Sequence, residues 1–524
     1  MNQTAPTGQP YIYRSPFPPI DLPDLPLPQV ALRHAAALGD KLALVDAASG
    51  RGLTYAQLLD GACRLAGGLR ARGVSPGEAV AVMLPNLPEY ALVMHGIILA
   101  GAVITTINPS YSEREVHHQL DNTRARRVIT IPSMLALAQA AAVGTEVQEF
   151  AVIGECAGAS PLTAWFGDPL PLETPADPAA IVALPFSSGT TGLSKGVELT
   201  HRSMVANLFQ VGTAMGYCAD DVLMGFLPFF HIYGQQVIMN TALAFGGTVV
   251  TMPRFDLELF LQAHARYGIT LSFIAPPVAV VLAKHPAVAD VDFSRVRVIF
   301  SGAAPLSAEV ADEASRRLGC PIVQGYGMTE MSPVSHLTPS GRNKPGAVGV
   351  LVANAEARIV DPESGESVGP GRRGELWVRG PMVMVGYHRN PEATAQTRDA
   401  DGWLHTGDIG YVDEDGYLFV VDRLKELIKY KGFQVPPAEL EGLLLTHPAV
   451  ADSAVIGQAD EEAGELPVAF VVLKPGITAT AEEIRSFIAG QVATYKQLHR
   501  VTFIDAVPKS ASGKILRRLL RDQL

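Results

Sequence analysis

Residues 187–196 read Ser187-Ser188-Gly189-Thr190-Thr191-Gly192-Leu193-Ser194-Lys195-Gly196 and follow the short apolar run Ile181-Val182-Ala183-Leu184. Glycines let a backbone approach an anion closely, hydroxyls and exposed amides can donate to phosphate oxygens, and Lys195 adds a point charge. A Gly/Ser/Thr stretch also suits an ordinary surface loop, and it is the lysine inside the glycine frame that favours phosphate. The segment is not a Walker A loop, because Ser194 and Gly196 flank the lysine where that pattern needs Gly before it and Ser or Thr after it. The chain also lacks a G-x-S-x-G elbow, which weakens a serine-hydrolase reading.

Other clusters follow in order: Gly325-Tyr326-Gly327-Met328-Thr329-Glu330, Trp403-Leu404-His405-Thr406-Gly407-Asp408, Arg423 fifteen residues later, and Pro508-Lys509-Ser510-Ala511-Ser512-Gly513-Lys514. Tyr326 could stack on a purine, Thr329 could donate to a phosphate, Glu330 could hold Mg²⁺ and Asp408 could accept from a ribose diol. Singly, an Asp in a turn or a Lys near a terminus is an ordinary solvated group.

Taken together the motifs resemble the adenylate-forming superfamily of acyl-CoA synthetases, nonribosomal adenylation domains and firefly-type luciferases. Pro228-Phe229-Phe230-His231-Ile232-Tyr233, Pro253-Arg254-Phe255-Asp256, Ser301-Gly302-Ala303-Ala304-Pro305-Leu306 and the run Val421–Val435 are most similar to 4-coumarate–CoA ligases. One departure is Ser194, where the family usually has Pro; it should loosen the loop without removing a donor. The resemblance implies an ATP site of Ser187, Ser188, Gly189, Thr190, Thr191, Lys195, Gln324, Gly325, Tyr326, Thr329, Asp408, Arg423 and Lys514, with Glu330 for Mg²⁺. It implies catalytic roles for Lys514, His231, Lys429 and Gln434, the last two lining the adenylate in the first of two conformations. The acid would be read by Tyr233, Val237, Ala303, Gly325, Ser332, Pro333 and Val334, an apolar set suited to an aromatic or hydrophobic acid. Coenzyme A would meet Arg254, Lys431 and Gly432 after a rotation about Lys425. The implied activity is ATP-dependent acyl-adenylate formation and transfer to coenzyme A. Transfer to an amine or amino acid, and a catalytically dead adenylate-binding regulator, are the competing readings.

The elements that must position these residues are legible as alternation. Leu58–Arg72 and Tyr90–Ala100 have helical apolar spacing. Ala79–Met83, Val103–Ile107, Ile181–Pro185, Gly247–Met252, Ile269–Ile274, Val296–Ser301 and Pro321–Gln324 are short apolar runs ending in Gly, Pro, Ser or Thr loops. That grammar predicts an α/β fold of two open sheets whose strand carboxyl ends carry the site. Glu356–Val360, Gly374–Val378 and Tyr417–Val420 predict a small β-rich subdomain. The remainder predicts a mobile α+β domain, giving domains 1–422 and 426–524 with a hinge at 423–425. The basic run Asp422–Lys431 suits a loop, and the Pro-rich residues 10–28 an extended surface arm.

Composition sets the limits. The 524 residues are 48% hydrophobic and 18% charged, ample for a large core in at least two domains. The net charge of −11, from 41 basic and 52 acidic groups, disfavours nucleic acid or anionic membrane as a partner. Cys63, Cys156, Cys218 and Cys320 have no paired spacing and read as buried thiols. No signal peptide is visible, and Ala91–Ile104 is too short and broken for a membrane span, so a cytoplasmic protein is expected.

Overall fold

The computed structural model describes residues 10–187, 194–304, 306–431, 433–460, 462–510 and 513–524. Among these, the strands form four large sheets and one two-strand ribbon. The first sheet orders Leu199–Thr200, Ile181–Ala183, Val103–Thr106, Ala79–Val82, Arg127–Thr130, Glu149–Val152 and Ser160–Pro161. Its central strands are parallel and buried at every position, because helices such as Tyr55–Ala71, Glu89–Leu99 and Glu113–Thr123 cover them. Capping boxes at Thr54/Gln57 and Ser112/Glu115 start two of these helices where the apolar period begins.

The second sheet runs in parallel through Ile322–Gly327, Val298–Ser301, Leu271–Ile274, Val222–Gly225, Thr248–Thr251 and Leu42–Asp46, with antiparallel strands at both ends. The two sheets share one continuous apolar core. The third, antiparallel, sheet contains Glu356–Val360, Gly374–Arg379, Leu404–Val412 and Leu418–Arg423. Tyr13–Arg14 of the N-terminal arm joins its edge, while the arm's last two residues, Leu27 and Pro28, enter the helix Leu27–Ala31. The fourth sheet, of Ile428–Tyr430, Phe433–Val435, Val450–Asp460, Gly464–Leu473 and Arg500–Phe503, has a separate small core with the helices Pro437–Thr446 and Ala481–Ala489.

Two expectations need correction. The basic run is not a loop throughout: Asp422 and Arg423 end one strand, Ile428–Tyr430 begin another, and only Leu424–Leu427 turn between them. Val420, Val421 and Ile428 supply β-propensity that the charges mask. Of the four thiols, Cys63 and Cys320 are buried, Cys156 is half-buried and Cys218 is exposed in the turn after the helix His201–Met215. No helix of the described residues is long and apolar enough to cross a membrane.

Five histidines sit in or beside the core. Burial pushes His95, His201, His231 and His264 down to about 4, with Lys514 adding to the effect at His231, and pushes His336 down to about 3. Hydrogen bonds fit the neutral rings: His201 Nδ1 accepts from Leu27 N at 2.9 Å, and His231 Nδ1 accepts from Tyr233 N at 3.2 Å.

Candidate active site

The strands Val298–Ser301 and Ile322–Gly327 end side by side, and their loops open into a cleft of about 2070 Å³ that the fourth sheet's domain closes from the other side. This is the carboxyl edge where open α/β sheets hold ligands. Ile322–Gly327 turns back along Val334–Leu337, and a Cβ at Gly327 would stand 2.3 Å from Pro333 O, so only glycine allows the crossing. Gln324 lines the cleft but its Oε1 accepts from Leu306 N at 2.9 Å, so its carboxamide holds the neighbouring loop. Tyr326 OH donates to Asp408 Oδ2, whose other oxygen lies 3.2 Å from Arg423 Nε. Asp408 and Arg423 are opposed in register on adjacent strands, which explains their spacing of fifteen residues around one turn. Burial pushes the Asp408 carboxyl above the usual range, although Arg423 and Tyr326 pull against it.

Thr329 and Glu330 occupy a short 3-10 turn and are both buried. Tyr387 OH donates to Glu330 Oε1 at 2.8 Å, and Lys195 Nζ sits 4.8 Å from the centre of the same tyrosine ring. Tyr387 therefore ties the candidate metal carboxylate to the phosphate-loop lysine, a link the sequence reading missed. Its signal, an aromatic after a glycine, is weak. Ser187 pairs with Lys195 across the two-strand ribbon. Ser188, Gly189, Thr190 and Thr191 lie outside the described residues. No group of three or more His, Cys, Asp or Glu gathers as a metal cage among the described residues. A single buried carboxylate fits Mg²⁺ that takes its other ligands from water and substrate phosphates.

Lys514 arrives from the far end of the chain. Ser510 N donates to Lys514 O at 2.8 Å and Lys514 N to Ser510 Oγ at 3.1 Å, closing a tight turn. Gly513 has φ +84, and a Cβ there would lie 3.0 Å from Ala275 Cβ, so a glycine lets this turn press against the second sheet's loop. Burial pushes the Lys514 ammonium down to about 8, helped by Arg423 and opposed by Glu426, Asp408 and Glu330. Lys514, Arg423, Asp408, Glu330 and His231 thus form one electrostatic group drawn from both domains.

Deeper in the cleft the wall is apolar. Tyr233 and Val237 lie on the π-helix Tyr233–Asn240 and face Phe300, Gly302, Ala303, Gly325, Pro333 and Val334. A Cβ at Gly302 would touch the Tyr233 ring at 3.1 Å, which makes this end a narrow slot. Asn86, from the first sheet's side, holds the preceding loop by donating to Gly225 O and Leu227 O and accepting from Phe229 N. Ser332 does not line the slot: it is fully buried at φ 64, with no partner for its hydroxyl among the described residues.

Besides Ser332, four expected residues are not brought to the cleft in this arrangement. Lys429 and Gln434 face each other across the hairpin Ile428–Tyr430/Phe433–Val435 and are exposed, so they do not line an adenylate while Lys514 is inside. Lys431, on the same hairpin, points at Glu462 4.0 Å away, and Arg254 is exposed on the loop after Thr248–Thr251. Gly432 lies outside the described residues. Lys425 is exposed at the rim, in the turn joining the third sheet to the fourth. Two residues that sequence reading passed over, Glu426 and Arg517, stand beside it. Arg517 Nη1 donates to Glu426 at 2.6 Å and Nη2 to both oxygens of Glu441 at 2.7 Å, and all three side chains are nearly buried.

The family description "AMP-binding enzyme" matches residues 32–388, and "AMP-binding enzyme C-terminal domain" matches residues 439–514. The chain is 42% identical to 4-coumarate–CoA ligase 2 of Petroselinum crispum, covering 98% of this chain and 97% of that protein. Its fold is similar to the anthranilate CoA ligase AuaEII in complex with anthranoyl-AMP, with TM-score 0.89 and 27% identity over 96% of this chain and 98% of that one. It is also similar to the amide bond synthetase McbA from Marinactinospora thermotolerans, with TM-score 0.86 and 28% identity over 95% and 99%.

Proposed function

The chain belongs to the AMP-binding enzyme family, and from that premise we propose that it is an ATP-dependent carboxylate–CoA ligase acting on an aromatic or hydrophobic acid. The observation that carries the proposal is Lys514 seated among Arg423, Asp408, Glu330 and His231. A carboxylate oxygen attacks the α-phosphorus of ATP, the bond to the β-phosphate breaks, and pyrophosphate leaves with the electron pair. Anion meeting anion needs positive charge at the point of approach, and Lys514 supplies it from a partly dry site where each charge counts for more. Asp408 accepts from the ribose diol, with Arg423 beside it, and Tyr326 offers its ring to the adenine. Ser187 and Lys195 hold the outgoing phosphates together with the donors of residues 188–191. Glu330 would hold Mg²⁺, which when bound supplies countercharge to the phosphate oxygens. His231, neutral at working pH, stands at the acid's end without adding charge.

In the second step the thiolate of coenzyme A attacks the acyl carbonyl and AMP leaves with the bond's electrons. Lys514 blocks one approach, so the small domain turns about Lys425. Lys429, Lys431 and Gln434 share one hairpin, so the rotation that carries Lys431 to the cleft carries the other two with it. Arg254, exposed on the loop after Thr248–Thr251, meets a phosphate of coenzyme A. An amide ligase shares the fold, as McbA illustrates, and the higher identity lies with coenzyme A ligases. The deciding experiment incubates a panel of benzoate- and cinnamate-type acids with ATP and Mg²⁺, adds coenzyme A or amino acids, and weighs the products. Acyl-CoA is expected; amides formed in preference to thioesters would overturn the proposal.

A further inference from the structure

The π-helix that presents Tyr233 and Val237 is followed directly by the α-helix Thr241–Phe245. At the junction Thr241 N–H reaches back five residues to Gln236 O, and the Thr241 hydroxyl donates to the same oxygen at 2.9 Å. A ladder that passes from five-residue to four-residue steps skips one carbonyl, which must find a partner elsewhere. The next carbonyl along the chain is that of Val237, and it accepts from Tyr217 OH at 2.9 Å in a buried setting.

Tyr217 does not line the cleft; it stands behind the wall. It follows Gly216, the left-handed cap of the helix His201–Met215. Its turn is pinned by Asp221, which accepts from Cys218 N at 2.9 Å and from Arg297 at 2.7 Å. The Tyr217 ring lies 6.5 Å from that of Phe273, which meets the Tyr233 ring edge-on at 6.1 Å. One side chain therefore holds both slot residues, Val237 through its carbonyl and Tyr233 through Phe273. Burial keeps the phenol protonated, so it remains a donor at every working pH.

We infer that Tyr217 is a positioning residue that sets acid selectivity, by fixing the π turn that aims Tyr233 and Val237 at the acyl group. The inference rests on the reading of this slot as the acid's end of the cleft. Without the hydroxyl the Val237 carbonyl is left unpaired in a dry place, and the turn gains reason to relax toward the α register. Tyr233 and Val237 then change their relative direction, and the slot fits its acid less selectively.

The test is Tyr217→Phe, which keeps the ring and its packing. Pyrophosphate release is measured for two acids of different length, a benzoate and a cinnamate, together with the KM for ATP. The ratio of the two kcat/KM values is the readout, because it does not depend on the fraction of folded enzyme. A change of about tenfold in that ratio, with KM for ATP within about twofold, is expected. Thr241→Val removes a hydroxyl from a carbonyl that keeps its N–H, and should leave the ratio in place. Val237→Ala alters the slot itself. If Val237→Ala moves the ratio and Tyr217→Phe does not, the role given to Tyr217 is wrong and the slot reading stands. If Val237→Ala leaves the ratio unmoved, the slot is not where the acid is read, and the inference falls with it.

Discussion

Lys514 is a lysine whose ordinary pKa of 10.5 falls to about 8, first through burial and then through Arg423. In the role proposed for it, the ammonium form is the one that meets the carboxylate and the α-phosphate, so the sign is set: activity is expected to be full below about 8 and to decline as pH rises through it. Because kcat/KM for ATP reports the free enzyme, it should show an alkaline limb near pH 8. The limb of kcat should lie higher, since bound polyphosphate favours the ammonium. Lys514→Ala should lower adenylation by about 10²–10³-fold and abolish the limb; an unchanged limb in that variant would assign it to another group. The site's charged residues were legible because each sits in a motif with a fixed neighbour, as Asp408 does after Gly407. Tyr387, Asn86 and Tyr217 were not, since each acts through hydrogen bonds to partners outside its own stretch of sequence.

At the scale of elements, the parallel strands were readable as apolar runs and the early helices as apolar periods, with ends off by a few residues. The π-helix was not readable, because the carbonyl its wide turn leaves over is met by Tyr217, twenty residues earlier, rather than by anything in the composition of Tyr233–Asn240. The basic run misled for the opposite reason: Lys425, Lys429 and Lys431 face water while Ile428 between them faces inward. Arg517 shows how the smaller domain holds its two parts together. It joins Glu426, in the turn itself, to Glu441 on the helix Pro437–Thr446, whose carboxyl burial pushes up while Arg517 pulls it down. Arg517→Ala strands two carboxylates in a nearly dry place and should destabilise that domain by about 3–5 kcal/mol. Urea unfolding followed by proteolysis of the C-terminal region would show this as an earlier loss of protection. Equal protection in variant and parent would mean that water reaches the pair and the cost is small.

Across the whole molecule, the sequence carried the order of its parts but not their mutual tilt. Lys429, Lys431, Gln434 and Lys514 all belong to the small domain, and a single orientation brings in one turn while leaving the hairpin outside. The contacts of the present orientation include the close approach of Gly513 to Ala275 and the Asp422 carboxylate accepting from Ala438 N at 2.9 Å at the start of a helix. The five neutral histidines set a different global property. An unfolded chain protonates them near 6.5, whereas the fold resists until about 4 or below. Between those values the unfolded state binds more protons, so stability falls with falling pH by roughly 1.4 kcal/mol per pH unit for each proton. Asp408, Asp422 and Glu441, with carboxyls raised by burial, oppose this but are outnumbered. The urea midpoint should hold above pH 7 and drop steeply from about pH 6 to 5; a level midpoint across that span would mean that water reaches those rings. Acid unfolding is then a proton-consuming reaction: in weakly buffered solution the protein would draw up to five protons per chain from its histidines as it opens, and a pH electrode would register the drift toward alkalinity.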